Sequence, residues 1–125
     1  ELKWGLVPDM GGYALWKGLV RDDVLRELTY TNREFSGTDA KDLGFATYVD
    51  PNPVARAMAI AADIANRNPT AQRAAKRLFN RYLEVGTDEI LMAVSVEQQA
   101  LIGSKNQIEA VMSQMEKRKG EFVDP

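Results

Sequence analysis

The chain has 125 residues, with 16 Lys and Arg against 18 Asp and Glu, a formal charge of −2, and neither His nor Cys. Zinc sites built on Cys or His, disulfide scaffolds, Ser-His-Asp and Cys-His triads and thioredoxin-like redox motifs are excluded by residue type, so proton chemistry falls to carboxylates, Lys, Tyr or the backbone. The acidic balance gives no general attraction to nucleic acid, and no apolar run approaches the ~20 residues of a membrane helix.

The length fits one domain and not two independent ones. Within it, residues 1–53 carry loops and short elements and residues 54–125 read as wholly helical. The first residue is Glu1 rather than Met, and the expectation is a processed N-terminus or a piece of a longer chain, from which no leader can be read. Absence of Cys is compatible with a reducing cytoplasm without requiring it.

Leu2 to Val7 reads as a short extended piece, broken by Pro8 and closed by Gly11-Gly12. Tyr13 to Lys17 predicts one or two helical turns ending at Gly18. Asp22 is the expected cap of a second helix whose apolar stripe is Val24, Leu25 and Leu28. Ser36-Gly37-Thr38-Asp39 has the form of a capping box and opens a short helix that stops at Gly44. Phe45-Ala46-Thr47-Tyr48-Val49, rich in aromatic and β-branched residues and bounded by Gly44 and Asp50-Pro51, predicts a strand.

After Pro53 four amphipathic helices follow. Val54, Met58, Ala61, Ala62 and Ala65 recur at three- and four-residue steps, and Asn68-Pro69 ends that helix and starts the next. Ala71, Ala74, Ala75, Leu78, Phe79 and Tyr82 form its apolar face. Gly86-Thr87 separates it from a helix carrying Ile90, Leu91, Val94 and Leu101, which ends at Gly103. Ser104-Lys105-Asn106-Gln107 is a second capping box, followed by Ile108, Val111, Met112 and Met115 at helical spacing.

Several stretches, in order along the chain, now carry a resemblance. Glu1-Leu2-Lys3-Trp4-Gly5-Leu6-Val7-Pro8-Asp9-Met10-Gly11-Gly12 is similar to the segment P-E-x-x-x-G-x-x-P-x-x-G-G of the crotonase superfamily, the enoyl-CoA hydratases and isomerases. Glu27-Leu28-Thr29-Tyr30-Thr31, then Ala40 and Leu43-Gly44-Phe45-Ala46, resemble its E-L-x-L-T and A-x-x-x-G-L-V stretches. Met115-Glu116-Lys117-Arg118-Lys119-Gly120-Glu121-Phe122 resembles its C-terminal E-K-R-x-x-x-F. The resemblance implies the C-terminal half of an α/β crotonase fold, mainly α with two short strands, in which residues 1–53 end the core and carry the active-site loop. Residues 54–125 would be a helical oligomerisation region, giving a homotrimer or a dimer of trimers. It also implies an acyl-CoA substrate, with coenzyme A as part of the thioester and no metal or redox cofactor. The implied location is cytoplasmic, or the mitochondrial or peroxisomal matrix in a eukaryote.

The resemblance assigns roles residue by residue. Glu1 matches a catalytic glutamate that moves the proton at the α-carbon of a CoA thioester, a task suited to a carboxylate; without the resemblance it reads as a solvated terminal side chain. Asp9 stands where dienoyl-CoA isomerases place a second acid and hydratases usually place Gly, and Asp also fills turn and cap positions. Two carboxylates flanking a flat dienolate can remove and return protons without water. Gly11, Gly12 and Trp16 would form the acyl pocket, with ordinary loop and core packing as the plain alternative. Lys117 matches a lysine that contacts the phosphates of CoA, with Arg118 and Lys119 adding to the field; the three cations also complement the negative end of the last helix. Gln98 stands where the family often has an aromatic residue for the adenine.

The family's first half supplies the two oxyanion-hole donors and one acid, and none of it is in this sequence. One such donor is worth ~10²–10³ in rate, and an acid or base ~10²–10⁴. Residues 1–125 alone are therefore expected to show no turnover. The implied reaction is hydration or, favoured by Asp9, double-bond isomerisation through an enolate. Thioester hydrolysis or decarboxylation, and a non-catalytic helical module whose acids are surface residues, are the other readings of the same chain.

Overall fold

The computed structural model describes all 125 residues, Glu1–Pro125. They fall into two compact units, Glu1–Pro53 and Val54–Pro125. The chain is helical throughout its regular elements: a 3-10 turn Leu2–Trp4, then α1 (Gly12–Trp16), α2 (Asp22–Thr31), α3 (Gly37–Leu43), α4 (Pro53–Ala65), α5 (Pro69–Arg81), α6 (Thr87–Leu101) and α7 (Lys105–Met115).

Neither expected strand forms. Leu2 to Val7 begins as the 3-10 turn, closed by Gly5 in the left-handed region at φ 74°. Phe45 to Val49 is irregular. Its first amides are taken by the end of α3: Phe45 N and Ala46 N both donate to Ala40 O, at 2.8 and 3.1 Å, behind Gly44 at φ 95°. A strand also needs a ladder partner, and this chain contains none.

In the first unit, α3 starts with a complete capping box. Ser36 Oγ accepts from Asp39 N at 3.1 Å and Asp39 Oδ2 accepts from Ser36 N at 3.0 Å. On α2, Asp22 is the first helical residue and Arg21 stands at the cap without a side-chain bond. Leu28, on the apolar face of α2, is the buried apolar side chain of this unit at 7% exposure.

In the second unit α5 packs against both α6 and α7. Asn68 Oδ1 caps α5 by accepting from Thr70 N and Ala71 N at 3.0 and 3.3 Å, with Pro69 in the first turn. Ala74, 2% exposed, marks where a small side chain lets backbones approach. Two ion pairs join α5 to α6: Arg77 to Glu97 through two bonds of 2.7 Å, and Arg81 to Glu89. The box at Ser104 is only half made. Its Oγ accepts from Gln107 N at 3.3 Å, but the Gln107 side chain turns to Gly103 N at 3.1 Å.

The residues after α7 form a tail laid back on α7 and α5. Asn106, 7% exposed, donates to Val123 O at 2.7 Å and accepts from Val123 N at 2.9 Å. Asp124 pairs with Arg73 at 2.6 Å. No helix is long and apolar enough to cross a membrane.

Candidate active site

The chemistry proposed for the first unit starts at Glu1, and the local backbone explains how it is held. Its carbonyl accepts two amides, Trp4 N at 2.9 Å and Leu6 N at 3.1 Å, which curl residues 1–6 into a closed turn. The first N–H groups of any such turn have no partner inside it. That of Lys3 is answered from α2, where Asn32 Oδ1 accepts it at 3.2 Å.

Glu1 lines an open groove of about 380 Å³. The apolar lining is Leu2, Pro8, Trp16, Leu25, Leu28, Phe35 and Phe45; the polar lining is Glu1, Thr29, Asn32 and Arg33. Phe35 and Phe45 stack with ring centres 5.1 Å apart. Such a channel, mostly hydrocarbon with one carboxylate and a few hydrogen-bonding groups, suits an apolar chain whose reacting end is polar.

Arg33 is a bidentate partner of Glu27, through Nε at 3.1 Å and Nη2 at 2.8 Å. Those hydrogen bonds hold the Glu27 carboxyl below its ordinary range. The Arg33 cation is thus matched by a carboxylate on α2.

Trp16 and Gly12 belong together. The far edge of the Trp16 indole lies over Gly12 so closely that a Cβ there would meet it at 2.9 Å and Pro8 Cβ at 3.1 Å. Only glycine lets this ring settle onto the loop and face the groove. Gly11, at φ 82°, makes the turn that starts α1. Tyr13 meets Trp16 edge to face at 6.3 Å. Asp9 is exposed on the turn between Pro8 and Gly11 and is not among the residues lining the groove. The geometry thus brings together Glu1 and Trp16, with Gly12 beneath the ring, and leaves Asp9 and Gly11 outside the lining.

Asn32, Arg33, Phe35 and Phe45 also line the groove, although no motif marks them as site residues. Asn32 carried a signal, because Asn just after the last periodic residue of a helix marks a left-handed cap; it has φ 53°.

In the second unit Lys117 also adopts a left-handed conformation, φ 53°, and turns the chain out of α7. Arg118 is not a free addition to its field: it pairs with Glu109 and with Glu116. Gln98 lines a separate open groove of about 560 Å³ with Leu101, Ile102, Val111 and Met115. No cluster of three or more acidic side chains is placed to hold a metal ion.

A profile described as enoyl-CoA hydratase/isomerase matches residues 1–125. The chain is 32% identical over 126 residues to the peroxisomal Δ(3,5)-Δ(2,4)-dienoyl-CoA isomerase of Arabidopsis thaliana, covering 98% of this chain and 45% of that protein. It is 27% identical over 127 residues to the mitochondrial Δ(3,5)-Δ(2,4)-dienoyl-CoA isomerase of Rattus norvegicus, covering 98% and 39%. Among solved structures, the enoyl-CoA hydratase of Bacillus anthracis superposes with a TM-score of 0.83 at 27% identity, over 97% of this chain and 48% of that one. The chain therefore spans less than half the length of these relatives.

Proposed function

Because the chain belongs to the enoyl-CoA hydratase/isomerase family, we propose that it serves proton transfer on a fatty acyl-CoA thioester, and that the reaction is isomerisation of a conjugated dienoyl chain. The observation that carries this is Glu1 set in the lining of a groove otherwise mostly apolar. An acyl chain fits the hydrocarbon walls, and the carboxylate takes a proton from the carbon next to the thioester. The electron pair left behind spreads into an enolate and along the double bonds. A proton returned at the far end of the conjugated chain completes the shift, and Asp9 is the acid assigned to that step.

Asp9 supports the isomerase reading over the hydratase one, as do the dienoyl-CoA isomerases among the relatives. In hydratase chemistry Glu1 would handle the α-proton while water adds to the double bond, and Asp9 would be a turn residue. Exposure of Asp9 on its turn fits either role, because catalytic contacts often tighten only when substrate binds. Lys117 is assigned to the phosphates of CoA, alone rather than with Arg118, and the working assembly is a trimer or a dimer of trimers.

The test is Glu1→Gln and Asp9→Asn in the full-length protein. Loss of roughly 10²–10⁴ in kcat on a dienoyl-CoA in both variants is expected for a pair of acid–base groups. Loss in Glu1→Gln alone, with enoyl-CoA hydration measurable, transfers the assignment to a hydratase. Full activity in both leaves the helical-module reading.

A further inference from the structure

We propose that Asn32 is a positioning residue for Glu1, holding the Glu1 turn in the groove through a single side-chain acceptor. The inference rests on the reading of Glu1 as the acting carboxylate and adds to it the group that fixes its place. Three observations converge on Asn32. It accepts the otherwise unanswered amide of Lys3, two residues from Glu1 and 29 residues from Asn32 itself, at 3.2 Å. It lies at φ 53° and ψ 29° as the cap of α2, a conformation that Asn tolerates better than most side chains. It also lines the same groove as Glu1.

The other hydrogen bonds of the turn do not do this work. Its other bonds, Trp4 N and Leu6 N to Glu1 O and Gly5 N to Leu2 O, are internal and fix its curl without fixing where it sits. The Lys3–Asn32 bond ties it to α2, the helix that places Leu25, Leu28 and Thr29 in the groove. Catalytic geometry is steep in position, and a displacement near 1 Å can cost about 10²-fold in rate.

Two substitutions separate the acceptor from the backbone conformation. Asn32→Gly keeps the left-handed cap and removes the side chain; Asn32→Asp keeps both the cap preference and an acceptor oxygen. In the full-length protein Asn32→Gly is expected to lower kcat about 10- to 100-fold, with KM changed less than about twofold and the Lys3 amide exchanging faster by NMR. Asn32→Asp is expected to restore kcat to near the parent value. The comparison is made on the plateau of each pH profile, since Asp adds a like charge beside Glu1. Glu1→Gln is measured alongside. If it lowers kcat while Asn32→Gly does not, the positioning role is overturned and the assignment of Glu1 stands. If Asn32→Asp is as impaired as Asn32→Gly, the acceptor is not what matters and the proposal is overturned as well. If Glu1→Gln is itself fully active, the functional reading falls and the proposal with it.

Discussion

At the scale of single residues, the strongest structural roles fall to two asparagines that composition gave no reason to notice. Asn32 closes α2 and takes the Lys3 amide. Asn106, buried on α7, uses one side chain to satisfy both backbone groups of Val123 and to donate to Thr70 Oγ1 at 3.0 Å. Removing it takes away the three hydrogen bonds through which this side chain ties the tail and Thr70 to α7, each worth about 0.5–1.5 kcal/mol net. Asn106→Ala is therefore expected to lower the unfolding free energy by roughly 2–4 kcal/mol, read as a shift in urea midpoint. Asn106→Asp, which keeps the acceptor and loses both donors, should fall between. In the sequence Asn106 was only the third residue of a capping box. Its partner is 17 residues away in a tail with no periodic pattern, and no local rule signals such a pair.

At the scale of elements, what was legible in the sequence was what local backbone chemistry decides. The box at Ser36, the Asn68-Pro69 start of α5 and the four helices after Pro53 are set within a few residues of themselves, and they form where the pattern puts them. The two strands were misread because a strand depends on a distant ladder, while the Ala40 carbonyl, reached through the left-handed turn at Gly44, takes the Phe45 and Ala46 amides locally. The groove was half legible: Glu1 and Trp16 came from the resemblance, whereas Asn32, Arg33 and Phe35 came from how the chain after α2 turns back. The C-terminal tail shows the same dependence on distance through its charges. Arg118 hydrogen-bonds the Glu109 carboxyl, the Glu121 amide donates to it at 2.8 Å, and these hold Glu109 down at about 2 against an ordinary 4.5. A carboxyl that binds its proton less readily folded than unfolded adds stability that is complete above about pH 4.5 and is lost as pH falls toward 2. Asp23, Glu27, Asp39 and Glu97 are lowered in the same direction by their own partners. Glu109→Gln is expected to flatten the loss of stability between pH 4.5 and 2 without abolishing it, measured as denaturation midpoints across that range.

At the scale of the whole molecule, the apolar surface of the second unit sets how residues 1–125 behave when separated from other protein. A helix of thirteen residues is marginal in water unless a face of it is packed, yet no residue of α4 is buried. Its only charges are Arg56 and Asp63. Val54 and Met58, 72% and 66% exposed, lie along one line of the helix, and Ile60 and Ile64 lie along another. Helical geometry places positions four apart nearly in register and positions two apart on nearly opposite sides, so α4 is apolar on two sides rather than on one stripe. A helix apolar all round belongs in an interior, and exposed apolar area of this kind drives association. Residues 1–125 produced alone are therefore expected to sediment as assemblies heavier than the 13.9 kDa monomer and to bind a hydrophobic dye. Met58→Glu combined with Ile64→Glu places a charge on each of the two apolar lines and should return the material toward monomer, with the helical content of α5, α6 and α7 retained by circular dichroism. A parent chain that sediments as a monomer and binds no dye would mean that α4 is covered within its own unit, contrary to the exposure of Val54 and Met58.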